Sequence, residues 1–182
     1  EVEERLEEIL RRLERAVEDW KRKNEKILKE LRDVVRESKK RTREIEKKIE
    51  DAARDVLREV NTDKKKLEEI KRLLEEVRKE IEDLLRTNEK LLEDLERLSK
   101  DDERRVRELL KEVRERVDKL KKDKVSKEVV KELEKDVRRI VEELKDSLRR
   151  LKEKVEEVAR TVKKLNEELD DSVREIVERL RK

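Results

Sequence analysis

The sequence predicts an all-α protein, a single-chain antiparallel bundle of three long, nearly straight helices in up-down-up order. Three observations lead to this prediction. The 182 residues include no glycine and no proline, so nothing interrupts a composition rich in the helix formers Leu, Glu, Lys and Arg. The apolar residues recur at helical spacing from end to end. Two short stretches have the character of real connections, and they cut the chain into nearly equal thirds.

The apolar stripe repeats every 18 residues, as the row Leu13, Leu31 and Ile49 illustrates. In the middle of the first third the predicted stripe runs through Ile27, Leu31 and Val34. Eighteen residues over five turns is 3.6 residues per turn, the pitch of a helix without supercoil. A heptad repeat would instead wind the helices into a left-handed coil. The helices are therefore expected to run nearly straight.

The two predicted connections are the stretches VNTDKK and KKDKVSKEVV. In the first, Asn61 suits the left-handed position after a helix, and Thr62 or Asp63 can cap the helix that follows. In the second, Ser126 is a good N-cap, and the valines on either side of it can form a hydrophobic staple. Each stretch is short, so successive helices must be antiparallel neighbours.

These connections predict a single helical-bundle domain, 1–182, with helices at about 2–60, 63–122 and 126–181. At a rise of 1.5 Å per residue each helix would be about 85–90 Å long. An alternative with four helices arises at Ser99–Asp102, where a serine followed by acidic residues resembles the start of a helix. The 18-residue phase runs through this stretch undisturbed, so a continuous second helix is favoured.

Several polar residues fall on rows that should be apolar. Asn24 shares a row with Leu6, and Asn88 lies between Ile70 and Val106 in another. Counting heights from the middle of each helix, with the second helix reversed, places these polar residues in layers. Below the middle one layer contains Asn24, Ser99 and Ser147, with Asp102 and Trp20 just beneath it. Above the middle one layer contains Ser38 and Asn88, and a higher one contains Thr42 and Asn166.

Matched layers have a physical purpose. A polar group buried without a partner costs about 1–3 kcal/mol, whereas amides and hydroxyls at the same height can satisfy one another. A satisfied network then penalises every register that separates its members. A straight bundle needs such a device, because sliding a helix by one repeat would otherwise cost little. We therefore assign the polar core residues to structural specificity and expect the Trp20 N–H to be available to the lower layer.

The composition argues against an enzyme. Without histidine and cysteine, the usual zinc sites and the Ser–His and Cys–His nucleophile pairs cannot form. No glutamate falls on a core row, as a di-iron bundle would require, and no glycine-rich loop exists to cradle phosphate. We expect no catalytic, metal-binding or cofactor-binding residue and no cofactor.

Charge and hydropathy give no sign of a nucleic-acid or membrane partner. The 57 basic and 54 acidic residues nearly cancel, and they are interleaved rather than gathered on a basic face. No apolar run approaches about 18 residues, and no signal peptide opens the chain. The expectation is a soluble protein without a targeting signal, cytoplasmic if expressed recombinantly, that requires no partner.

In these respects the chain resembles de novo designed helical bundles generated from parametric helix equations, with buried hydrogen-bond layers in an aliphatic core. The resemblance covers the whole chain and rests on the 18-residue repeat, the twelve residue types, the missing glycine and proline and the single Trp20. It departs from many such designs in having no glycine at the connections. The resemblance implies a monomeric, rod-like scaffold without evolved activity that melts above about 90 °C.

Two other functions stay open at this point. The chain could be a designed interaction or assembly component, such as a binder, a switch or the subunit of a homo-oligomer. It could also be a natural interaction module similar to the spectrin repeat. Spectrin-like modules, however, use heptad packing, shorter helices and a more varied composition, so we favour the scaffold.

Overall fold

The computed structural model contains three α-helices, which make up nearly all of the residues that it describes, 1–59 and 63–181. Helix α1 spans Val2–Glu59, α2 spans Lys64–Lys122 and α3 spans Lys127–Arg181. Each helix packs against the other two, and the described residues form no strand. The predicted all-α three-helix bundle is confirmed.

An aspartate caps the start of α2. The Oδ1 atom of Asp63 accepts the backbone N–H groups of Lys65 at 3.2 Å and Lys66 at 3.4 Å. These N–H groups belong to the first turn of the helix, where no backbone carbonyl is available to them. The other two residues proposed for this connection, Asn61 and Thr62, lie outside the described residues.

The start of α3 follows the predicted pattern. Ser126 lies directly before the first helical residue, Lys127, and so occupies the N-cap position. Val125 and Val130, on either side, belong to the same apolar cluster, in which Val130 is buried and Val125 is partly buried. This is the arrangement of a hydrophobic staple, which fixes the angle at which the chain enters a helix.

Helix α2 is continuous through Ser99–Asp102, so the alternative with four helices is wrong. Ser99 is 1% exposed and lies in the core instead of capping a new helix. Ile81 and Val117, 18 residues to either side of it, are buried as well. A break in the helix would rotate these residues relative to one another. In a continuous helix all three residues stay on the buried face, which favours the unbroken helix.

The buried stripe of α1 differs from the predicted one at two places. The structure buries Leu28 and Val35, while Ile27 and Val34 are half-buried. Val35 follows the buried Val17 by one 18-residue repeat, so the inward row passes through it. Adjacent apolar residues lie only 100° apart around a helix, and hydropathy alone does not decide which of them faces the core.

Contacts divide the chain into two compact units, each with a segment of all three helices. Unit 1 consists of Glu1–Glu30 and Asp94–Val155, and unit 2 consists of Leu31–Glu93 and Glu156–Lys182. Each unit has its own aliphatic cluster and its own buried polar residues.

The core of unit 1 joins the start of α1 to the end of α2 and the start of α3. Leu6 and Leu13 of α1, Val117 of α2 and Leu133 of α3 are fully buried in one cluster. Trp20 is buried in the same cluster. Because α2 contributes its end where the other helices contribute their starts, α2 is antiparallel to both in this unit.

The core of unit 2 shows the same helix order from the other ends of the helices. Ile49 of α1, Ile70 and Val77 of α2 and Val173 of α3 are each at most 2% exposed in one cluster. Here α1 and α3 contribute residues near their ends, and α2 contributes residues near its start. Burial of such aliphatic side chains is the main favourable contribution to folding.

Ion pairs connect the helices at the surface of unit 1. Arg116 Nη1 lies 2.6 Å from Asp136 Oδ2, between α2 and α3. Lys121 Nζ lies 3.0 Å from Glu7 Oε1, between α2 and α1. Exposed pairs of this kind typically contribute about 0–1 kcal/mol each, so they adjust the stability of the bundle but do not determine its fold.

The pair between Glu7 and Lys121 predicts a local pH dependence. The Lys121 ammonium donates a hydrogen bond to the Glu7 carboxyl and, with its charge, holds the pKa of that carboxyl below its ordinary value. A carboxyl with a lowered folded-state pKa stabilises the fold above its unfolded-state pKa, and this contribution is lost as the pH falls through the folded-state pKa. The effect therefore lies in the acid range. We expect an NMR titration to give Glu7 a midpoint below the value of an unfolded glutamate.

The matched variants for this titration are Lys121→Gln and Lys122→Gln. Removing the ammonium of Lys121 should raise the Glu7 midpoint toward its ordinary value. Removing that of Lys122, an exposed neighbour, should leave the midpoint unchanged. A Glu7 midpoint that does not respond to Lys121→Gln would show that this contact does not persist in solution.

Candidate functional site

The polar residues predicted for the core lie inside it, with one exception. Asp102 is half-buried, and the remainder are at most 7% exposed. The buried polar residues of the described chain are Asn24, Ser38, Thr42, Asn88, Ser99, Ser147 and Asn166, and the sequence singled out all of them. Because aliphatic rows surround these side chains, their amides and hydroxyls must find partners within the protein.

One serine of unit 2 joins all three helices. Ser38 Oγ, on α1, donates a hydrogen bond to Asn166 Oδ1 of α3 at 2.6 Å. The same oxygen accepts a hydrogen bond from Asn88 Nδ2 of α2 at 2.8 Å. A serine hydroxyl has one hydrogen to donate and two lone pairs that accept, so Ser38 can serve both partners at once.

Thr42, one turn further along α1, extends this arrangement. Its Oγ1 donates to the backbone carbonyl of Ser38 at 2.8 Å and accepts from Asn166 Nδ2 at 2.9 Å. Asn166 Nδ2 also lies 3.3 Å from the Ser38 carbonyl oxygen. The two layers predicted above the middle of the bundle are therefore one connected set. We call Ser38, Thr42, Asn88 and Asn166 the Ser38 network.

The polar residues of unit 1 form two separate pairs. Asn24 Nδ2 donates to Ser99 Oγ at 2.7 Å, which joins α1 to α2. Ser147 Oγ donates to Asp102 Oδ2 at 2.9 Å, which joins α3 to α2. Ser99 and Asp102 lie one turn apart on α2, so in unit 1 it is α2 that makes a polar contact with each of the other helices. Ser147 was expected in the layer of Asn24 and Ser99, and the structure pairs it with Asp102.

Asp102 is the one ionisable member of the polar core, and it lies at the edge of the core. It borders a groove of about 370 Å³ between α2 and α3, together with Ser147, Arg105 and Glu143. Arg105 Nη2 and Glu143 Oε2 form an ion pair of 3.5 Å beside it. A carboxylate at the edge of a groove keeps part of its hydration, and this avoids the large cost of burying an isolated charge.

Two buried polar atoms have no hydrogen-bond partner among the described residues, Trp20 Nε1 and Asn88 Oδ1. The Trp20 N–H therefore does not join the lower polar layer, contrary to expectation. Asn24 and Ser99, two members of that layer, bond to each other. Trp20 thus contributes a large buried ring to the cluster of unit 1, at the expense of an unmet donor.

The described ranges, 1–59 and 63–181, hold no group of three or more acidic side chains placed to bind a metal ion. None of their helices is long and apolar enough to cross a membrane. No known family model, curated protein or solved structure matches the chain. An inference about function therefore rests on the geometry of the polar core.

Proposed function

We propose that this chain is a designed structural scaffold without natural biochemical activity, in which buried polar contacts determine how the helices align. The observation that carries the proposal is the Ser38 network, where one buried hydroxyl is bonded to side chains from both other helices. The network lies among aliphatic rows that stabilise the bundle but are nearly alike from one repeat to the next. The polar contacts are what distinguish one alignment from another.

Hydrogen-bond geometry is the physical basis for this role. A shift of one helix by a single turn moves its side chains by about 5.4 Å, and a hydrogen bond is lost well before that distance. Each polar group left buried without a partner then costs about 1–3 kcal/mol. An aliphatic row shifted by one turn meets other aliphatic groups, so the shift costs it less free energy. The short connections limit large shifts, so one-turn shifts and pairing between chains are the alternatives that the network excludes.

Two features support a scaffold over the other functions considered. No large apolar side chain is exposed among the described residues, whereas an interaction or assembly component would be expected to present an apolar patch. The 18-residue repeat and the narrow composition differ from the heptads and varied residues of spectrin-like modules. Both features suit a protein made to be stable and monomeric.

The decisive test removes the Ser38 network and measures the alignment of α1 with α2. The variant combines Ser38→Ala, Thr42→Val, Asn88→Leu and Asn166→Leu. The chain already carries a reporter in Lys39 Nζ, which lies 3.5 Å from Glu89 Oε1, within reach of zero-length carbodiimide crosslinking. We expect the parent to give a Lys39–Glu89 product by mass spectrometry. The variant should remain helical and gain a Lys39–Glu93 product, one turn away, because alternative alignments become populated.

The matched control keeps the network and changes aliphatic residues of the same unit, with Ile49→Leu, Ile81→Leu and Leu169→Ile. It disturbs packing while leaving every polar contact in place, and it should give the crosslinking pattern of the parent. If the network-free variant also retains the parent pattern and a single set of NMR signals, the polar contacts do not determine alignment and the proposal fails.

A further inference from the structure

A groove of about 410 Å³ lies between α1 and α3 in unit 2. Val34, Ala159 and Val162 give it an apolar lining, and Ser38 and Asn166 of the Ser38 network also border it. Its volume falls within the range of about 300–1,000 Å³ that is typical of small-molecule sites. Ser38 and Asn166 already bond to each other, so they contribute shape to the groove and no free hydrogen-bonding group.

Ala159 enlarges the groove, because it interrupts the repeat. In its row the residues 18 positions to either side are Val141 and Val177, and each of them packs against the apolar cluster of its unit. A valine at position 159 would continue the row and occupy part of the groove. Alanine lacks the two outer methyl groups of valine, so the surface of α3 is lower at this position.

The charges around the groove are not balanced by ion pairs. Arg41 of α1 and Lys163 of α3 line it, and neither forms an ion pair with any residue that the structure describes. Asp33 also lines the groove, but its carboxylate is paired with Arg36 at 3.3 Å. Glu37 is then the one lining carboxylate without such a partner in the described ranges. Two unpaired cations face one unpaired anion, so the rim favours a negatively charged group.

We propose that this groove binds a small amphipathic anion, a molecule with one or two apolar ring systems and a single carboxylate or sulfonate. The rings lie on Ala159 between Val34 and Val162, where they cover apolar surface that water otherwise contacts. The anionic group lies at the rim, where Arg41 and Lys163 attract it. An apolar ring system carrying a cation instead would meet two like charges there.

The probe for this site is 8-anilinonaphthalene-1-sulfonate, whose fluorescence rises in apolar surroundings. We expect saturable binding of one probe per chain, with no change in the circular dichroism of the protein. The uncharged analogue N-phenyl-1-naphthylamine has the same rings without the sulfonate, and it should bind more weakly. Absence of saturable binding, or equal affinity for the two probes, would overturn the proposal.

Two substitutions locate the site. Ala159→Val should place methyl groups where the rings are proposed to lie and abolish saturable binding, while the helical signal stays that of the parent. Lys163→Glu should weaken binding of the sulfonate roughly fivefold, the size expected of one exposed charge contact, and should not weaken binding of the uncharged analogue. Lys164→Glu is the matched control, because it makes the same charge change at an exposed neighbour that does not line the groove.

Parent-like affinity in Ala159→Val would place any bound probe elsewhere and contradict the proposal. Equal weakening by Lys163→Glu and Lys164→Glu would do the same, because it would indicate a general effect of net charge. If Ala159→Val alters the circular dichroism of the protein, the comparison of the two lysine variants decides alone.

Discussion

Replacing Asn166 with leucine is expected to destabilise the bundle by about 2–3 kcal/mol, although leucine is the more apolar residue. The substitution removes the oxygen that accepts the Ser38 hydroxyl at 2.6 Å and the N–H that Thr42 accepts at 2.9 Å. Both hydroxyls are buried, so bulk water does not replace the lost partner. Guanidinium denaturation followed by circular dichroism measures the difference in the free energy of unfolding.

The combined replacement of the Ser38 network should behave in the opposite way. With all four residues aliphatic, no buried polar side chain is left unpaired there, and the free energy of unfolding should equal or exceed that of the parent. Glu167→Leu, at the exposed position after Asn166, is the control and should change stability by no more than about 0.5 kcal/mol. An Asn166→Leu variant as stable as the parent, or a combined variant as unstable as the sum of its single changes, would contradict this account.

The fold could be predicted from the sequence because its determinants are periodic. A row of residues 18 apart stays on one face of a helix over any length, so Ser99 could be assigned to the core although its neighbours resemble a helix start. The same reasoning found every buried polar residue of the described chain. It needed only the phase of the apolar rows and the order of the helices.

The pairing of the polar side chains could not be predicted, because height along a helix leaves direction around the helix open. Ser99 and Asp102 are three residues apart, which is a rotation of about 300°, so their side chains leave α2 in directions about 60° apart. Ser99 accordingly meets Asn24 of α1, and Asp102 meets Ser147 of α3. Counting heights had placed Ser147 with Asn24 and Ser99.

The rotamers of the side chains also determine which hydrogen bonds form, and these rotamers could not be predicted from the sequence. Thr42 donates to the Ser38 carbonyl on its own helix, a bond that uses the one hydrogen of the hydroxyl, leaves it only as an acceptor across the bundle, and depends on the threonine rotamer. Trp20 lies one turn from Asn24, but its N–H finds no acceptor among the described residues. The phase of the rows was sufficient to predict which of these residues are buried, and proximity in height was insufficient to predict their bonds.

The two kinds of core residue should therefore be separable by experiment, one controlling stability and the other alignment. The Ser38 network tests alignment, and its complete removal should leave the bundle stable. A fully buried leucine tests stability, because its truncation removes packing without breaking a polar contact. Removal of the network should change alignment and leave stability, and truncation of the leucine should lower stability and leave alignment. Finding both results would show that the two kinds of residue have separate roles and that the core is not sensitive to every substitution in the same way.

Leu133→Ala is expected to cost about 3–5 kcal/mol, because a fully buried leucine leaves a cavity that the surrounding helices fill only in part. Leu133 is 0% exposed in the cluster of unit 1. Leu148→Ala, at a half-buried position of the same helix, is the matched control and should cost less than half as much. Guanidinium denaturation of both variants gives the two free energies of unfolding.

The alignment of unit 1 should survive this loss of stability. Lys121 Nζ lies 3.0 Å from Glu7 Oε1, so carbodiimide crosslinking of these residues reports the alignment of α1 with α2 near the cavity. Leu133→Ala leaves the Asn24–Ser99 and Ser147–Asp102 pairs unchanged, and we expect the same Glu7–Lys121 product as in the parent under native conditions. New crosslinks in Leu133→Ala would mean that aliphatic packing also determines alignment, and the separation of roles would then be wrong.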